Sequence, residues 1–92
     1  MKTVELSAEA RRDIQYLRGW LAGRAPGAAK RATQAIIAAT RSLATFPERG
    51  RLVRDNLREL IVPFGSAGYV LQYAVLGERV IVARVFHSLE RR

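Results

Sequence analysis

The stretch LRELIVPFGSAGYVLQYAVLGERVIVARVFH, residues 57–87, decides how this chain folds. Its β-branched and aromatic residues fall into three runs, LRELIV (57–62), GYVLQYAV (68–75) and RVIVARVF (79–86). The segments between them, PFGSA and LGE, have hairpin composition. In the middle run Val70, Gln72 and Ala74 alternate with Tyr69, Leu71, Tyr73 and Val75, so one face can pack on a core while the other carries polar groups. This pattern predicts a three-stranded antiparallel meander.

Upstream, the period changes from two to about 3.6. KTVEL reads as a short opening strand, and Ser7 is placed to cap a helix by accepting from the amide of Ala10, with Glu9 suited to the positive end of the helix dipole. Ala10, Ile14, Leu17 and Leu21 form the apolar stripe of a helix from Ala8 to about Ala22. GRAPG breaks it, and Pro26 fits the first position of a second helix because its missing N–H would have no intrahelical acceptor there. A stripe of Ala29, Ala32, Ile36, Ala39, Leu43 and Phe46 carries that helix to about Phe46, where Pro47 stops it. FPERGRLVRDN reads as a polar connector. The prediction is an α+β fold of order β-α-α-β-β-β, a helical hairpin packed on a small antiparallel sheet, in one domain spanning 1–92.

Composition narrows the function. Sixteen Lys and Arg against eight Asp and Glu leave a net charge of +8, and fourteen of the sixteen are Arg. The guanidinium fork suits phosphate or carboxylate, so the excess points to nucleic acid or an acidic protein surface, with codon bias and solubilising charge as the plainer source. The absence of Cys excludes disulfides, thiol catalysis and Cys-based metal sites, and a single His makes zinc a poor fit. No cofactor is expected. The opening MKTVELSAEARRD lacks the apolar core of a signal peptide and no apolar run reaches membrane-helix length, so the expectation is a cytoplasmic protein.

LATFPERGR, LRELIVPF, GYVLQYAV and VIVARVFH, with Arg91 and Arg92 behind them, resemble in order and spacing the toxin superfamily of ParE and RelE, on the ParE side. The resemblance implies the toxin of a type II toxin–antitoxin, or plasmid stabilisation, module. ParE toxins inhibit DNA gyrase, which makes the gyrase A subunit the implied target. RelE toxins cut messenger RNA on the ribosome. A ParD-like ribbon–helix–helix antitoxin is the implied inhibitor, and operator DNA would be met only through it. Metal-free RNA cleavage needs a group to activate the 2′-OH, cations for the charged transition state and an acid for the leaving oxygen. The RelE pattern supplies these with lysines near the meander, arginines on its strands and a terminal Tyr or His. Here the only lysines are Lys2 and Lys30, and no Tyr follows His87. The chain is therefore read as a non-enzymatic toxin. Were it a ribonuclease, Arg58, Arg84 and His87 would form its site, although the three-residue step between Arg84 and His87 points them to opposite faces of a strand.

For target contact the candidates are Arg49, Arg51, His87, Arg91 and Arg92. For the antitoxin they are Tyr16, Trp20, Arg54, Arg58 and Tyr73. Each has a structural alternative. His87 can be a strand-end residue that fixes the following segment by a hydrogen bond. Tyr16 and Trp20, offset from the main helix stripe, can be core, and Tyr69 and Tyr73 can close the core. The arginines of residues 49–58 can be a solvated loop.

Overall fold

A computed structural model describes residues 1–89. In chain order the elements are β1 (Thr3–Leu6), α1 (Ala8–Ala22), α2 (Pro26–Ser42), β2 (Arg51–Arg54), β3 (Leu57–Phe64), β4 (Ala67–Leu76) and β5 (Arg79–His87). The strands form one sheet ordered β1-β5-β4-β3-β2, with α1 packed over β5 and α2 over β3.

Three hairpins build the meander, each closed by two residues: Asp55–Asn56, Gly65–Ser66 and Gly77–Glu78. The first residue of each pair has positive φ, 47° at Asp55, 64° at Gly65 and 61° at Gly77. Such turns match the right-handed twist of the flanking strands, and Gly or Asp bears the left-handed backbone at least cost.

Three expectations need correction. The connector holds a strand of its own, β2, so the sheet has five strands instead of four. It was hidden because only Leu52 and Val53 are apolar in a charged segment. The sheet is also mixed, because β1 runs parallel to β5, with Thr3 opposite Arg79 and Leu6 opposite Val82. Finally α2 ends at Ser42. The next three amides, of Leu43, Ala44 and Thr45, bond three residues back to Thr40, Arg41 and Ser42, a tightened final turn. Pro47 disfavours helical backbone at Phe46, whose side chain is 63% exposed instead of completing the stripe.

The core lies between the helical hairpin and one sheet face. Ala10, Leu17, Ala32, Ile36 and Leu43 meet Leu60, Val62, Leu71, Val80, Val82 and Val85. The inward step from Val82 to Val85 spans three residues because Tyr73 faces Val82 while Gln72 faces Arg84, leaving Ala83 as a bulge. Beyond the end of β1, α1 finishes the open edge of β5. Ser7 caps α1 by accepting from Ala10 N–H at 2.9 Å, and its hydroxyl donates to Ala83 O at 2.8 Å. Asp13 accepts from Val85 N–H at 2.9 Å and from the Arg84 guanidinium at 2.7 and 3.1 Å. Among the described residues no helix is long and apolar enough to cross a membrane.

Candidate functional site

Two surfaces carry the candidate residues. The first is a groove of about 290 Å³ between α1 and the ends of β4 and β5, lined by Tyr16, Leu17, Trp20, Leu21, Tyr69, His87 and Leu89. Leu17 is drawn into the core by the helix stripe, while Tyr16 and Trp20, one turn apart and off that stripe, remain 64% and 46% exposed. They wall the groove and are not core residues. At its end the Arg24 guanidinium lies 4.0 Å from the centre of the Trp20 ring and donates to Trp20 O at 3.1 Å. A cation over an indole face favours a fixed ring orientation.

The floor of the groove is built by the meander. Tyr69 is buried, and desolvation pushes its hydroxyl above the ordinary tyrosine pKa. His87 meets the Tyr69 ring edge-on, centroids 5.6 Å apart at 90°, and its Nδ1 accepts from Leu89 N–H at 3.1 Å. That bond and the one from Ser88 N–H to Gly68 O, 2.9 Å, hold the segment after β5 against the sheet. An apolar, aromatic-walled groove with few polar atoms suits a partner's hydrophobic side chains.

The second surface is the arginine cluster around β2. Arg49 donates to Ser42 Oγ at 2.8 Å and is exposed, while Arg51 lies 3.7 Å from Glu59, which also accepts from Gln72 at 2.8 Å. Arg54 is exposed and has no ion pair among the described residues. Arg58 points inward and holds the connector, donating to Gly50 O at 2.8 Å and to Glu48 O at 3.4 Å.

Tyr73 corrects an expectation. It is fully buried and cannot meet an antitoxin. Its hydroxyl donates to Pro47 O and accepts from Gly50 N–H, both at 2.7 Å, so it pins the connector ahead of β2. Gly50 is required there, because a Cβ would stand 2.7 Å from that hydroxyl oxygen and 2.9 Å from Glu59 O. The local signal was slight: a Gly just ahead of an arginine-rich segment, and a Tyr in an alternating row that also holds Tyr69.

The residues named for RNA cleavage are not gathered. Arg58 pairs with Tyr73, Arg84 with Gln72 and His87 with Tyr69. Arg58 and His87 thus sit four β4 residues apart, about 13 Å along the strand, and Arg84 is on the opposite face, turned to Asp13. Among the described residues no three His, Cys, Asp or Glu side chains cluster as metal ligands. Arg91 and Arg92 lie outside the described residues.

A family model described as the ParE toxin of type II toxin–antitoxin system, parDE, matches residues 4–92. Two Caulobacter vibrioides proteins are similar along their length. Toxin RelE3 is 52% identical over 92 residues, covering all of both chains, and Toxin RelE1 is 44% identical over 90 residues, covering 98% of this chain and 97% of that one. Among solved structures, the chromosomal ParDE system from P. aeruginosa superposes with a TM-score of 0.79 at 18% identity, covering 95% of this chain and 96% of that one. The toxin–antitoxin complex RelBE2 from Mycobacterium tuberculosis superposes at 0.67 with 22% identity, covering 94% and 96%. At those identities the structural likeness speaks for the fold.

Proposed function

The chain belongs to the ParE toxin family of type II toxin–antitoxin systems, and from that premise we propose that it inhibits DNA gyrase by protein–protein binding and is neutralised by a ParD-like antitoxin. One observation carries the choice of binding over catalysis. Arg58, Arg84 and His87, the residues a ribonuclease would need close together, are spread over two sheet faces and two ends of the meander. Each also holds up the fold: Arg58 the connector, Arg84 the Asp13 bridge, and His87 the turn into Leu89. Inhibition by binding needs no convergent acid and base.

The groove walled by Tyr16 and Trp20 is the antitoxin's docking place. An amphipathic segment laid in it would bury two exposed aromatics and leave its acidic residues to meet the surrounding arginines. The RelE names of the relatives favour a second reading, ribosome-dependent cleavage of messenger RNA. The experiment that separates the two adds purified chain to a gyrase supercoiling assay and to a translation reaction. Lost supercoiling with intact messenger RNA is the expected result. Ribosome-dependent cuts abolished by Arg58→Ala or His87→Ala in variants that still melt as the parent does would replace this reading with the ribonuclease.

A further inference from the structure

β2 is the edge strand opposite β1, and all four of its residues are exposed. Leu52 is 51% and Val53 40% exposed, and Arg49, Arg51 and Arg54 stand around them. We propose that β2 is a strand-addition site for an extended, acidic segment of the target protein. The proposal rests on the target-binding reading above and specifies how the contact is made.

An edge strand presents unpaired backbone N–H and C=O groups, and a peptide that adds a strand satisfies them while its alternate side chains select the partner. Here the selectors are cationic. A second copy of this chain is a poor occupant, because two-fold antiparallel pairing of RLVR would set Arg51 of one copy opposite Arg54 of the other. An acidic strand reverses that repulsion and covers Leu52 and Val53. The edge is also held in shape before any partner arrives. Tyr73 Oη and the Arg58 guanidinium fix the amide and carbonyl of Gly50, the residue just before β2, which lowers the ordering cost of binding. Val53 is a bulge, since Leu52 faces Arg58 and Arg54 faces Leu57. Its backbone therefore has no paired position on β3, and an added strand meets it from the open side.

The bulge also supplies the test. Proline is tolerated at bulges and edges, so Val53→Pro alters the edge at the β2 residue that has no paired position on β3, while Arg54→Glu reverses a charge that makes no ion pair among the described residues. Full-length parent and both variants are titrated into the supercoiling reaction, their melting curves are recorded, and amide exchange is followed in the parent with and without gyrase. The expected result is unchanged melting, about tenfold weaker inhibition by each variant, and slowed exchange at residues 51–54 in the complex. Inhibition equal to the parent by a folded Arg54→Glu, or unchanged exchange at 51–54 in bound chain, overturns the proposal. If the parent neither binds nor inhibits gyrase, the target reading fails separately. The edge is then tested with peptides of about eight residues alternating Glu with Val or Lys with Val. Protection of residues 51–54 by the Glu peptide alone upholds the edge chemistry, and protection by neither or by both equally overturns it.

Discussion

Where β1 stops, the edge of β5 is finished by side chains: Ser7 takes up the carbonyl of Ala83, and Asp13 the amide of Val85 together with the Arg84 guanidinium. Three strands from β5, β2 ends the sheet with arginines and two exposed aliphatic residues. Both edges face the same hazard of unsatisfied backbone. One answers it with intramolecular bonds and so contributes to stability, while the other uses positive charge, which deters self-pairing and adds little to the fold.

This difference can be broken by substitution, and the largest effect belongs to the closed edge. Asp13→Ala removes the carboxylate that bonds both the Val85 amide and the Arg84 guanidinium and is expected to cost about 2–3 kcal/mol. Denaturant unfolding measures it, and a variant as stable as the parent would mean that Asp13 does not close the edge. Tyr73→Phe comes next, at about 1–2 kcal/mol, because it strands the amide of Gly50 and the carbonyl of Pro47 while keeping the ring. It should also loosen β2, visible as faster amide exchange at 51–54. At the open edge Arg54→Glu is expected to change stability by less than about 0.5 kcal/mol; a larger loss would show that β2 is structural after all.

The smallest effect depends on pH. A hydrogen bond from Arg79 at 2.8 Å holds the Glu5 carboxyl below the usual carboxylate range. Its stabilisation is therefore present at neutral pH and lost as pH falls through the lowered folded-state value. The Glu5 side chain is 42% exposed to solvent, so salt should screen the effect. A slightly smaller loss of melting temperature on acidification in Glu5→Gln than in the parent is the expected outcome, and identical acid limbs would remove the pair from consideration.

Local signals made most of the fold readable. Ser7 as a cap, Pro26 at the start of α2, the apolar stripe of α1 and the glycines of two hairpins all act over a few residues, and the structure keeps them. The Asp55–Asn56 turn was a third such signal, hidden by the charges of the connector. Pairings across the length of the chain were not readable. Nothing local to Val4 says that it will lie beside Val80, and nothing local to Asp13 says that it will meet Arg84, 71 residues away. For the candidate site, the exposure of Tyr16 and Trp20 follows from their offset on the helix. The burial of Tyr73 turned on the connector folding back over its hydroxyl, and the commitment of Arg58 to the carbonyl of Gly50 turned on the same fold-back. Charge alone does not separate an arginine that holds a loop from one that waits for a partner.

The parallel pairing of β1 with β5 also sets an order of events during synthesis. The ribosome delivers β1 first and β5 after every other described element. Until β5 emerges, β1 has no strand beside it, α1 has no sheet edge to seal, and Ser7 and Asp13 lack the backbone groups they bind. Contacts of such long sequence separation form late and all together. While these elements are being made, the chain passes most of that time without its native surfaces, which appear only when β5 does.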